Sequence, residues 1–137
     1  MIFSGGRAEQ VMAGDKTATW RPKKDGEIVY TDCRKNAIIG VWPGGRWRWR
    51  VGRTYAVQPG RGKKSLGRIE ITSIEECCPC VIGDIGLRWE GFRGTPDEMY
   101  AEFRAVLERL YPQHKGDVMQ MPGYWIKFRL VEQEERT

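Results

Sequence analysis

The segment Gly-Asp-Lys-Thr-Ala-Thr-Trp-Arg, residues 14–21, contains an amine, two hydroxyl-bearing threonines and a guanidinium within eight positions. Residues 6–13 before it place their apolar side chains at helical spacing, and Gly14 suits the left-handed position after a last helical turn. Residues 17–20 favour extended backbone, and Pro22 favours an extended residue before it. The polar side chains are therefore expected at a helix-to-strand junction, where two regular elements hold them in place.

The remainder of the chain predicts mostly strands, followed by two helices and a closing strand. Strands are predicted at 27–31, 37–42, 51–58, 66–75 and 124–131, with a turn at 43–45 and a charged tail at 132–137. A short helix is predicted at 82–91, and Thr95-Pro96-Asp97-Glu98 has the residues of a capping box that begins a longer one. This order predicts an α+β fold whose mostly antiparallel strands form a small barrel-like sheet.

Length and hydropathy favour one cytoplasmic domain spanning residues 1–137. A chain of 137 residues buries a core without needing a metal or disulfide. It has no apolar run of about 18 residues, which a membrane span requires. The N-terminus also lacks the basic-then-apolar pattern of a signal peptide, so we expect no membrane association and no export.

Positive charge is concentrated in one part of the sequence. The net charge is +5, but residues 21–64 contain twelve basic and three acidic residues, a local balance of +9. The rest of the chain is therefore net negative, at −4. A basic segment on an otherwise acidic domain is typical of a polyanion-binding surface.

The basic segment contains Arg46-Trp-Arg-Trp-Arg50, which strand geometry would arrange with both tryptophans on one face and all three arginines on the other. One interpretation is an RNA contact through phosphate-binding arginines and base-stacking rings. The other is an amphipathic strand with core tryptophans and solvated arginines. The predicted RNA-binding residues are Arg46, Trp47, Arg48, Trp49, Arg50, Arg53, Lys63 and Lys64.

The cysteines do not form a metal motif. Cys77 and Cys80 are one Cys-x-x-Cys pair, to which Cys33 and His114 are the available further ligands for zinc. A second closely spaced pair is missing, and reduced thiols account for the pattern. We predict no metal and no cofactor.

Several motifs together resemble the ASCH domain, a family in the PUA-like superfamily of small RNA-associated β-barrels. They are the helix ending at Gly14, Lys16-Thr-Ala-Thr-Trp-Arg21, the strand start at Val51-Gly52, the strand 66–74, Trp89-Glu-Gly-Phe92 and the closing strand 124–131. The resemblance covers nearly the whole chain except about residues 22–50, where typical members are shorter. That region is interpreted as a basic insert in the domain.

The resemblance implies a ligand cleft at Lys16, Thr17 and Arg21. Some ASCH proteins are amidohydrolases that deacetylate N4-acetylcytidine, and their catalytic lysine, threonine and glutamate match Lys16, Thr19 and Glu90. A threonine hydroxyl needs a base, and a lysine serves if desolvation or a nearby cation such as Arg21 lowers its pKa. Glu90 is then available to orient these groups or to protonate a leaving amine.

The basic insert decides the order of the functional hypotheses. An RNA-binding module comes first, because a lid rich in arginine and tryptophan suits a polymer. An amidohydrolase acting on an acylated nucleoside is the alternative, and a ribonuclease is third, since paired histidines or metal-binding carboxylates are lacking. A protein-interaction module that uses the tryptophans is a further class, so the expected partner is RNA or a nucleoside and any protein partner stays open.

Overall fold

Seven β-strands and three α-helices form the part of the chain that the computed structural model describes, residues 1–43 and 46–133. The strands are β1 Ala18–Pro22, β2 Ile28–Asp32, β3 Ala37–Trp42, β4 Trp49–Arg50, β5 Thr54–Val57, β6 Gly67–Glu76 and β7 Gly123–Gln133. The helices are α1 Arg7–Ala13, α2 Asp84–Trp89 and α3 Pro96–Leu110. The predicted turn at 43–45 and the predicted tail reach outside the described residues.

Two antiparallel sheets pack together. One has the strand order β1-β7-β6-β5 and the other β2-β3-β4, so the basic segment 22–50 supplies the whole second sheet. Val41 of β3 packs against Ile71 and Ile74 of β6 and Tyr124 and Ile126 of β7. The curled first sheet is thus closed on one side by the second. This half-barrel confirms the predicted α+β fold with a mostly antiparallel, barrel-like sheet.

Helix α3 covers the other side of β1. The predicted capping box is present: the Thr95 hydroxyl accepts from the Glu98 backbone amide at 3.2 Å, and the Glu98 carboxylate accepts from the Thr95 amide at 3.2 Å. Met99, Phe103 and Leu107 recur on one helical face and pack in a cluster with Trp20. This packing places the helix beside the 14–21 segment.

The end of α1 directs Lys16 into the molecule. Gly14 has a φ of 81°, as predicted for a left-handed residue after a helix. The backbone amides of Asp15 and Lys16 then both donate to the Gln10 carbonyl, at 2.9 and 3.2 Å. The chain therefore reverses tightly over the helix end, and the amide of Thr17 meets the Trp89 carbonyl at 2.7 Å.

Gly123 is a sensitive position for the fold, because β7 approaches β1 very closely there. A Cβ at residue 123 would lie 2.3 Å from a Trp20 ring carbon and 2.5 Å from the Arg21 carbonyl oxygen. We expect Gly123→Ala to lower the free energy of unfolding by about 1–3 kcal/mol, measured by urea denaturation, since the strands must move apart. Gly60→Ala, which meets only the exposed Lys63 side chain at 3.2 Å, is the control and should change it by less than about 0.5 kcal/mol. Equal values for the two variants would contradict this account.

Candidate active site

Lys16 is a fully buried cation with three acceptors. Its side chain is 1% exposed, and Nζ donates to the Ala18 carbonyl at 3.0 Å and the Glu90 carbonyl at 2.9 Å. The third partner is the Glu90 carboxylate, through Oε2. Each proton of the ammonium group therefore has an oxygen acceptor, as a buried charge requires.

Glu90 connects the lysine to strand β1. It follows α2 directly, and its side chain is 6% exposed. While Oε2 accepts from Lys16, Oε1 accepts from the backbone amide of Trp20 at 2.6 Å. The carboxylate is thus fixed at both oxygens by groups of the 14–21 segment, 70 to 74 residues away in sequence.

Burial lowers the pKa of Lys16 below its ordinary value of 10.5. The Glu90 carboxylate opposes this shift, whereas the positive charges of Arg21 and Arg7 add to it. The two side chains share one proton in a direct hydrogen bond, so a short shift would move that proton from Nζ to Oε2.

Thr19 and the Lys16–Glu90 pair open onto the same cavity, which has a volume of about 220 Å³. The polar side chains that line it are Ser4, Arg7, Lys16, Thr19, Arg21 and Glu90. The aromatic side chains that line it are Phe3, Trp20, Phe92, Phe103 and Tyr111. Thr19 is 5% exposed, and its hydroxyl makes no hydrogen bond within the described residues. That hydroxyl is therefore available to a molecule in the cavity.

Arg21 lines the same cavity from the end of β1. One of its amino groups donates to the Ile2 carbonyl at 2.6 Å, and its guanidinium lies 5.1 Å from the Phe3 ring centroid. Burial lowers the pKa of Arg21. Across the cavity, burial raises the pKa of Tyr111, and the Arg21 charge opposes that rise.

The structure resembles solved structures of other proteins. The ASCH domain of Lactobacillus crispatus JV V101 matches with a TM-score of 0.55 and 19% identity, over 93% of this chain and 71% of that chain. This chain has the ASCH-domain fold. A protein of Enterococcus faecalis V583 from the family DUF984 matches with a TM-score of 0.62 and 19% identity, over 92% of this chain and 67% of that one. No protein-family model and no curated protein matches the sequence.

In this ASCH fold, Lys16, Thr19, Arg21 and Glu90 all line one cavity. Thr17, predicted as a ligand-binding residue, is instead exposed and outside the lining. Its backbone is used structurally, because its carbonyl accepts from the Phe128 amide at 3.0 Å. Sequence reasoning missed Arg7 and Tyr111, which line the cavity from α1 and the end of α3. Neither belongs to a motif.

Residues 46–50 were predicted to place both tryptophans on one face of a strand and all three arginines on the other. That arrangement is wrong. Only Trp49 and Arg50 are in a strand, so regular alternation does not extend across the segment. Trp49 packs inward against the cluster that contains Val41. Trp47 lies on the opposite face over Gly40, where a Cβ would come within 2.7 Å of its ring.

The three arginines within residues 46–50 also lie in different surroundings. Arg48 is bound to the buried Glu27, donating to both carboxylate oxygens at 2.9 Å. Arg50 lies 5.2 Å from the Trp47 ring centroid. Arg46 is exposed. The other predicted RNA-binding cations, Arg53, Lys63 and Lys64, are exposed as well.

The cysteines lie apart from the cavity lining. The part of the chain that the structure describes contains no group of three His, Cys, Asp or Glu side chains arranged to hold a metal ion. All four cysteines are free, and Cys33 and Cys80 are exposed. No helix within the described ranges is long and apolar enough to span a membrane.

Proposed function

We propose that this protein is an amide hydrolase that removes the acetyl group from N4-acetylcytidine or a related acylated nucleoside. The supporting observation is the buried Lys16–Glu90 pair, which opens onto the same cavity as Thr19, whose hydroxyl has no hydrogen-bond partner among the described residues. A hydroxyl nucleophile, a base and an acid are the groups that acyl transfer requires. The aromatic lining suits a nucleobase, which stacks on such rings.

Acylation uses the one proton that Lys16 and Glu90 share. With that proton on Glu90, neutral Lys16 takes the hydroxyl proton of Thr19 as its oxygen attacks the acetyl carbonyl. Glu90 then protonates the departing N4 amine, the carbon–nitrogen bond breaks, and cytidine leaves. The acetyl group stays on Thr19 as an ester, and the pair again holds one proton.

Deacylation uses the same groups with water. With the shared proton back on Glu90, neutral Lys16 takes a proton from a water molecule that attacks the ester carbonyl, and the pair returns a proton to the Thr19 oxygen as acetic acid leaves. The Lys16 ammonium that results supplies positive charge beside the oxyanion in each step, where electrostatic stabilisation contributes most.

A chromatographic assay with N4-acetylcytidine tests this proposal. Wild-type protein should release cytidine and acetate, while Glu90→Gln should lower kcat/KM by about 10²–10⁴-fold, because the amide accepts the Trp20 hydrogen bond but carries no transferable proton. Arg109→Gln, which alters an exposed α3 residue outside the cavity lining, should leave the rate unchanged. No release by the wild type would remove the proposal.

The pH dependence of kcat/KM gives a separate prediction. The active pair holds one proton and loses it as pH rises through the pKa of Lys16, which burial lowers below 10.5. Activity should therefore fall with increasing pH, with an alkaline midpoint below 10.5, in a pH series of initial rates. An alkaline midpoint above 10.5, or activity that rises throughout, would contradict the one-proton pair.

RNA binding is the second candidate function, favoured by the outer face of the β2-β3-β4 sheet. The Trp47 ring has edge contacts with Tyr30 and Trp42, at centroid distances of 5.3 and 5.1 Å. Tyr30 is 45% exposed, and Arg46 and Arg53 are exposed cations of the same basic region. Rings beside cations suit single-stranded RNA.

A ribonuclease is less supported, because the described cavity lining contains one carboxylate and no histidine.

Salt dependence tests the RNA-binding candidate. The affinity for a short single-stranded RNA should fall as salt rises, and Arg46→Gln with Arg53→Gln should flatten the slope of log K against log salt by about 1.4, or about 0.7 for each lost phosphate contact. Arg109→Gln is again the control. An affinity independent of salt would exclude this function.

A further inference from the structure

We propose that the substrate carries a phosphate, which Arg7 and Arg21 hold at the cavity while its acylated base lies among the aromatic rings. This inference specifies the substrate class of the proposed amide hydrolase, and its kinetic test rests on that proposed activity. The site would then act on an acylated nucleotide, with the phosphate belonging either to a mononucleotide or to the RNA backbone.

The cavity has an excess of positive charge. Arg7, Lys16 and Arg21 line it, against the single carboxylate of Glu90. Both oxygens of that carboxylate are already engaged, by the Lys16 ammonium and the Trp20 amide. The two guanidiniums therefore share a partly enclosed space without a counter-ion from its lining, and a bound anion would balance them.

Arg7 is the less engaged of the two arginines. It is half-buried and forms no ion pair with any described residue, and its guanidinium lies 5.6 Å from the Phe92 ring centroid. Glu102 lines an adjoining cavity together with Arg7, but the two are not paired. The ring contact leaves the N–H donors at the guanidinium edge free for an oxygen ligand.

Arg21 is oriented in a similar way. It also lies near a ring, that of Phe3, and donates one hydrogen bond, to the Ile2 carbonyl. A guanidinium has five N–H donors in a planar fork that matches phosphate oxygens. Two arginines backed by aromatic rings are thus a suitable pair for one phosphate, and bidentate contacts of this kind are strong.

Cavity size agrees with a substrate that is only partly enclosed. The volume of about 220 Å³ is below the roughly 300–1,000 Å³ of sites that enclose whole ligands. Its lining includes the exposed residues Ser4 and Leu110, which mark the opening to solvent. A base with its acyl group therefore occupies the interior, and the sugar phosphate lies towards the opening.

The kinetic test compares N4-acetylcytidine with its 5′-monophosphate, its 3′-monophosphate and a trinucleotide that contains the same base. We expect at least a tenfold higher kcat/KM for a phosphorylated form. Preference for a monophosphate identifies a nucleotide substrate, and preference for the trinucleotide identifies RNA. Arg7→Gln should reduce the preference to less than about threefold, whereas Arg109→Gln should preserve it.

A binding test keeps this inference separate from catalysis. Calorimetry with cytidine and with cytidine 5′- and 3′-monophosphate should show at least tenfold tighter binding of a monophosphate, and Arg7→Gln should remove the difference. Phosphate-dependent binding without any hydrolysis would reject the hydrolase and support the arginine site. Equal affinities for cytidine and both monophosphates, or a phosphate preference unchanged in Arg7→Gln, would overturn the inference.

Discussion

Replacing Thr19 with valine should abolish release of cytidine from N4-acetylcytidine, lowering kcat/KM by at least about 10⁴-fold, since loss of a nucleophile removes most of the catalysis of an acyl-transfer site. Valine matches threonine in shape, and the Thr19 hydroxyl has no hydrogen-bond partner within the described residues. The substitution therefore leaves no protein group unsatisfied, and the free energy of unfolding should not fall. Rate measurements and urea denaturation on the same preparation separate these two effects.

Thr17→Val is the matched control, because it makes the same chemical change two residues away in the same motif. Thr17 is exposed and lies outside the cavity lining. Its variant should keep the wild-type kcat/KM within about twofold, since its backbone contacts do not depend on the hydroxyl. If Thr19→Val kept more than a tenth of the wild-type rate, the attacking oxygen would belong to water, with Lys16 as its base.

Local signals predicted the elements that position the site. The left-handed Gly14 and the capping box at Thr95 are encoded within a few residues, and both are present. The strands at 27–31 and 37–42 were also predictable, from apolar and β-branched residues flanked by polar ones. These features depend on backbone preference and spacing, which a sequence displays directly.

The sequence does not directly show which distant segments contact each other. Glu90 reaches Lys16 across 74 residues, and only the family resemblance linked them before the structure was known. Trp47 and Trp49 separate because the chain is not a regular strand at residue 47 and because Gly40 leaves space for one ring. The buried carboxylate of Glu27 also forms an ion pair with Arg48, which was predicted to belong to the nucleic-acid surface. At residues 46–50, tertiary packing therefore overrides the period-two pattern.

Lys16→Met should lower the free energy of unfolding by about 3–5 kcal/mol, because it removes one partner of a buried ion pair and leaves the other charge uncompensated. Glu90 is 6% exposed on its side chain, so solvent does not replace the lost ammonium. Methionine fills similar volume, which keeps the cavity term small. The contrast is Lys23→Met, which breaks the exposed pair with Glu76 and should cost no more than about 1 kcal/mol.

The double variant Lys16→Met with Glu90→Gln identifies the cause of that loss. A glutamine is neutral and can still accept the Trp20 amide hydrogen bond, so the double variant should recover most of the stability that Lys16→Met loses. It should nevertheless be inactive, because no proton carrier is left. A double variant as unstable as Lys16→Met would mean that the lysine acts through packing and its carbonyl hydrogen bonds. Recovery of stability without activity would instead show that the loss in Lys16→Met comes from the uncompensated Glu90 charge and that the ion pair is needed for the chemistry.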